Sequence, residues 1–118
     1  MHRALLLAWL LYRTCSAQTL PEQAIMRGIL VGLFSGRPAV ESQIDWEALE
    51  VRQAPDLPNY QSLSATQRAA FRRAFLVTMA GQHPQIQALV PRQQGTDYFL
   101  GRFRFRKSGR QFKLTGIL

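Results

Sequence analysis

The sequence predicts an α+β fold in which N-terminal helices pack on a small curved antiparallel sheet. Three observations carry this. Two stretches repeat apolar residues at helical spacing behind polar caps, and beyond Pro84 the apolar period drops to two. The chain then ends on two alternating runs joined by Lys107-Ser108-Gly109. The 118 residues are 47% hydrophobic and 19% charged, which suits one modest core.

The N-terminus reads MHRALLLAWLLYRTCSAQ. His2 and Arg3 are a basic start, residues 4–12 are an unbroken apolar run, and Cys15-Ser16-Ala17 supplies small residues for cleavage. This is the three-part form of a secretory signal peptide. The run is shorter than the roughly 20 residues a membrane span needs. The residues before Cys15, Tyr12-Arg13-Thr14, do not form a small-residue lipidation site. We therefore read residues 1–17 as a signal peptide, residues 18–118 as a single α+β domain, and the protein as exported, to the periplasm or outside the cell. Cleavage after Ala17 removes the chain's one cysteine, so the mature domain holds no disulfide and no thiolate ligand.

The first mature element is TLPEQAIMRGILVGLFSG. Thr19 and Glu22 form a capping box, Pro21 suits a first turn, and Gly36 suits the end. Ile25, Met26, Ile29, Leu30 and Leu33 recur at helical spacing. Pro38 opens a short helical piece to about Gln43. The stretch IDWEALEV places Trp46 among acids and reads as a turn or irregular segment. Residues 52–62, with Pro55, Asp56, Pro58 and Asn59, read as a loop that Tyr60 and Leu63 pin to the body of the domain. Ser64 and Gln67 cap the clearest helix, whose Phe71, Ala74, Phe75 and Thr78 line one side. Arg68, Arg72 and Arg73 fall on the opposite, solvent side. Residues 86–90 alternate as a strand that Pro91 stops, and 93–97 form a turn. Residues 98–106 read as one strand, with Phe99, Gly101, Phe103 and Phe105 on one face and the arginines on the other. Residues 111–118 return with Phe112, Leu114, Gly116 and Leu118 inward.

The formal net charge is +8, nearly all of it arginine, with Lys107 and Lys113 the only lysines. Acids cluster between Glu41 and Asp56, and bases gather in GRFRFRKSGRQFK. Arginine–phenylalanine alternation is what a half-buried strand requires. Inward phenylalanines leave no stacking rings for bases, so nucleic acid is not an expected partner. His2 and His83 are the only histidines, which leaves no zinc or triad pattern and no metal or cofactor expectation. Asp45, Tyr60, Asp97 and Tyr98 are the residues available for proton transfer.

Helices followed by a sheet ending in a hairpin resemble the nuclear-transport-factor-2-like (NTF2-like) α+β cone. LSATQRAAFRRAFLVTMAG, residues 63–81, resembles the helix of the MlaC/toluene-tolerance family of periplasmic phospholipid-binding proteins, where a capped Gln-Arg pair leads into Phe-x-x-x-Phe. DYFLGRFRFRKSGRQFKLTGI resembles the hairpin of those folds, with Phe112 where a tryptophan is usual. The resemblance implies a non-enzymatic exported domain that binds an apolar or lipid-like ligand between helices and sheet. Met26, Ile29, Leu33, Phe71, Phe75, Phe103, Phe105 and Phe112 are its expected lining. One alternative is an anion-binding or protein-interaction surface on Arg102, Arg104, Arg106, Lys107, Arg110 and Lys113, suited to an anionic membrane. The other is an isomerase-like enzyme on the same fold. Oligomeric state is left open.

The leader makes its own prediction. N-terminal sequencing of the exported protein should begin at Gln18, and an intact Met1 on that protein would overturn the assignment.

Overall fold

The computed structural model describes residues 19–54 and 56–118. The expected signal-peptide helix lies outside them. Two α-helices, α1 (Leu20–Phe34) and α2 (Ala65–Ala80), precede most of a five-stranded sheet. The strands are β1 (Glu50–Val51), β2 (Pro91–Gln94), β3 (Asp97–Leu100), β4 (Phe103–Ser108) and β5 (Gln111–Ile117). Their order is β1-β5-β4-β3-β2. β2 to β5 form an antiparallel meander, while β1 runs parallel to β5, so the open sheet is mixed rather than purely antiparallel.

Local chemistry sets the helices. Glu22 N–H donates to Thr19 Oγ1 (3.2 Å) and Thr19 N–H to Glu22 Oε1 (3.0 Å), closing the first capping box. That Thr19 N–H is the main cause of a Glu22 pKa below its ordinary value; the Thr19 hydroxyl and Lys107 act the same way, against partial burial. Ser64 and Gln67 cap α2 in the same manner. Gly36, at φ +71°, takes the left-handed turn after α1, and a 3₁₀ turn at Pro38–Gln43 follows.

The core lies on one face of the sheet. Met26, Ile29, Leu30, Leu33 and Phe34 of α1 are buried against Leu100, Phe103, Phe105, Phe112, Leu114 and Ile117. Phe34 meets Phe103 edge to face at 5.7 Å. α2 stands further out and buries only Phe75 and Met79.

Three strand expectations are corrected. Residues 86–90 are not a strand: Ile86–Ala88 is a 3₁₀ turn. Ile86 and Leu89, three apart, pack against the core, whereas Val90 is 72% exposed. The strand begins at Pro91 and continues through Gln94, residues read as its stop and a turn. Proline is tolerated there because β2 is a sheet edge and Pro91 is its first residue.

Residues 98–106 are two strands, not one. Leu100 pairs with Phe103 around a two-residue turn at Gly101-Arg102, with Gly101 at φ +55°. A Cβ there would sit 2.7 Å from Leu89 Cδ2, the far end of a side chain that can shift, so it is the left-handed conformation that demands glycine. The turn puts Leu100 on the core side with Phe103 and Phe105. Phe99 faces the other side, beneath the Arg92 guanidinium at 4.4 Å.

The third correction is on β5. Phe105 pairs with Leu114 but Arg104 pairs with Gly116, so Thr115 is an extra residue in a bulge. Gly116 is thereby turned to the outer face, and Ile117 rather than Leu118 is buried inward opposite Phe103. Arg104 clamps this bulge. Its Nε donates to Thr115 Oγ1 (3.0 Å) and its Nη2 to the Thr115 carbonyl (2.9 Å). The guanidinium lies over Gly116, where a Cβ would approach it to 3.2 Å. With its side chain only 14% exposed, Arg104 is a structural fork rather than part of a solvated face.

Arg104→Gln should therefore destabilise the fold by about 1–3 kcal/mol, the cost of leaving buried polar groups unpaired. Arg102→Gln, at an exposed turn position, should stay within about 0.5 kcal/mol. Equal denaturation midpoints for the two variants would remove the clamp from the account.

Candidate functional site

The segment between α1 and α2 wraps one margin of the sheet. Ile44 bridges to Leu114, and Asp45 N–H donates to the Leu114 carbonyl (2.9 Å). The chain then turns outward through Trp46 before β1 rejoins β5 at Glu50. Trp46 Nε1–H donates to the Glu41 carbonyl (3.0 Å), which fixes the indole. The ring meets Phe75 at 5.5 Å and Phe71 at 6.2 Å edge to face, and stacks on Tyr60 at 6.4 Å. Such contacts contribute beyond the area they bury.

Two arginines of α2 hold Tyr60 in place. Arg68 donates from Nε to the Tyr60 carbonyl (3.0 Å) and from Nη2 to the Gln61 carbonyl (2.9 Å), and its guanidinium lies 5.0 Å from the Tyr60 ring centre. Arg72 donates to the Tyr60 hydroxyl (2.6 Å) and to Glu41 (2.7 Å). The hydroxyl and then the carboxylate raise the Arg72 pKa above its ordinary value. The expectation that Arg68 and Arg72 stand free in water is corrected: both are half-buried ties between α2 and the segment before it, and Arg73 alone of the three is exposed.

This frame leaves a cleft of about 610 Å³ between the aromatic cluster, β1 and the loop before Tyr60. Trp46, Leu49, Val51, Leu57, Tyr60 and Phe71 supply its apolar wall, while Glu47, Glu50, Arg52 and Asn59 supply polar groups. A second pocket of about 360 Å³ shares Val51, Ala54, Leu57, Pro58 and Phe71 with it and reaches Phe75 and Met79 on α2. Its lining is nearly all apolar. The two chambers can take an apolar body in one part and a polar end in the other.

The sequence-based lining lies mostly elsewhere. Met26, Ile29, Leu33, Phe103, Phe105 and Phe112 are close-packed core between α1 and the sheet. Phe71 lines both chambers, and Phe75 lines the smaller one while closing the core. Trp46, Val51 and Leu57 were missed. Their available signals were a tryptophan in an acidic stretch and a proline-rich loop ending in a tyrosine.

The basic set is dispersed. Arg104 is committed to the bulge and lies 3.6 Å from Glu50. Arg106 lies 3.5 Å from Asp97 Oδ1 without an aligned hydrogen bond. Lys107 turns to the helix side, paired with Glu22 at 3.2 Å. Arg102 sits at the β3–β4 turn, at the other end of β4 from Arg110. Arg110 and Lys113 share a separate groove. Of the proton-transfer candidates, Tyr60 alone lines the cleft. Asp45 Oδ1 accepts from Ala48 N–H (3.3 Å), and Asp97 and Tyr98 point to opposite faces of β3. Among the described residues there is no cluster of three metal-ligating side chains, and no helix is long and apolar enough to cross a membrane.

No protein-family model, curated protein or solved structure matches this chain.

Phe75→Ala should cost about 3–5 kcal/mol, since it opens both the core and the wall of the smaller chamber. Arg72→Ala should also lower the melting temperature, while Arg73→Ala should not. Indistinguishable melting curves for the two arginine variants would show that Arg72 holds nothing.

Proposed function

We propose that this chain is an exported, non-enzymatic binding domain that takes an apolar or lipid-like small molecule in the cleft beside Trp46. The observation that carries the reading is the pair of adjoining chambers, about 610 and 360 Å³, walled by Trp46, Tyr60, Phe71, Leu57 and Phe75. Ligand sites are typically concave, largely apolar and of this size, with a few polar groups to orient the guest. Glu47, Arg52 and Asn59 are such groups. The apolar run of residues 4–12 supports export. The resemblance to NTF2-like cones and to the helix of periplasmic phospholipid-binding proteins supports the ligand class. The seat of binding in this proposal is the margin of the sheet rather than the layer between α1 and the sheet, because that layer is filled by Phe103, Phe105 and Met26.

Trp46 is the natural reporter. Native mass spectrometry after gentle extraction should retain an apolar adduct. Titration of the delipidated domain with a lysophospholipid below its micellar range should shift Trp46 emission to the blue and saturate. Ala54→Phe, which fills both chambers, should abolish the shift while keeping the melting temperature within a few degrees. A clean apo mass together with unchanged Trp46 emission would overturn the reading.

A further inference from the structure

Four side chains close a circuit of contacts at the aromatic wall of the cleft. Trp46 Nε1–H donates to the Glu41 carbonyl (3.0 Å). The Glu41 carboxylate accepts from Arg72 Nε (2.7 Å), and Arg72 Nη1 donates to the Tyr60 hydroxyl (2.6 Å). Tyr60 stacks on Trp46 at 6.4 Å, which returns to the start. The members come from three segments far apart in the chain: the Pro38–Gln43 turn with Trp46 just beyond it, the Tyr60–Ser62 turn, and α2.

The circuit has two sides. Trp46 and Tyr60 line the cleft, whereas Glu41 and Arg72 are not among the described residues that line either chamber. They border an open hollow of about 460 Å³ that shares Trp46 with the cleft. A guest in the cleft therefore meets the two rings and not the ion pair behind them. Arg68 holds the Tyr60 carbonyl (3.0 Å) and lies 5.0 Å from the ring centre, which leaves the hydroxyl end of the ring to Arg72. Nε and Nη1 belong to one planar fork. Glu41 on Nε thus sets where Nη1 points, and so where the Tyr60 hydroxyl is held.

We propose that Glu41 and Arg72 are positioning residues of the cleft, an ion pair that holds Tyr60 against Trp46 so that the wall stands ready before an apolar guest arrives. A wall ordered in advance spares the guest the cost of ordering it. Their role rests on the reading of the cleft as a binding site, and it adds two charged residues that act on the guest without touching it.

The test is equilibrium dialysis of the full chain against monodecanoylglycerol, an uncharged amphiphile on which a lost charge has little direct effect. Glu41→Ala should raise Kd about fivefold or more, because a site that is competent only part of the time binds more weakly by that fraction. Tyr60→Phe should do the same, although removing a hydroxyl from the wall would by burial alone favour an apolar guest. The double variant should bind no more weakly than either single one, since each releases the same pin. Glu41→Gln, which keeps an oxygen acceptor for Arg72, should restore most of the loss. Leu30→Val, which loosens the core layer between α1 and the sheet, should lower the melting temperature and leave Kd within about twofold. Without ligand, the Trp46 Nε1–H resonance, assigned by its loss in Trp46→Phe, should exchange with solvent faster in Glu41→Ala than in the unaltered chain. Unaltered Kd and indole exchange in Glu41→Ala would overturn the pair and leave the cleft reading standing. Additive losses in the double variant would also overturn it, by showing that the Tyr60 hydroxyl meets the guest itself. An unaltered chain that binds no monodecanoylglycerol fails at the cleft, and the positioning role falls with it.

Discussion

The buried face of the sheet is filled by α1, and the rest of the structure follows from that packing. Six residues of α1 are buried, against two of α2. With Phe103, Phe105 and Phe112 already meeting Met26, Leu30 and Leu33, the interior has the close packing of an ordinary core. α2 is therefore displaced to the margin and packs through Phe75 and Met79. The wedge between α2 and the sheet edge is too wide for those two side chains. Trp46, Tyr60 and Phe71 fill part of it, and the cleft is the remainder. The candidate binding site is thus a consequence of how the core was filled.

Arginine holds the parts together. Arg27 donates to the Leu89 carbonyl (3.2 Å), Arg68 to the carbonyls of Tyr60 and Gln61, and Arg104 to that of Thr115. Arg27 and Arg68 each tie a helix to a segment outside it, and Arg104 ties β4 to β5 at the bulge. A planar fork with several donors can reach a carbonyl and a second partner at once, which a lysine ammonium does less rigidly. Part of the large positive charge is thus structural.

The sequence by itself determined what depends on neighbours a few residues away. Both capping boxes, the left-handed glycines at Gly36 and Gly109, the loop through Pro58 and the α+β order are local matters, and each followed from residue type and spacing. Tertiary structure decided the rest. Whether Pro91 stops a strand or begins one depends on its lying at a sheet edge. Whether Gly101 continues a strand or turns it depends on Leu100 pairing back onto Phe103 in the sheet. Whether Arg104 is solvated depends on a bulge at Thr115 that alternation cannot reveal. The core phenylalanines were legible as apolar, but whether they enclose a cavity depends on how completely α1 fills the sheet face. Trp46, Tyr60 and Phe71 stand far apart in the chain, and only packing brings them to one wall.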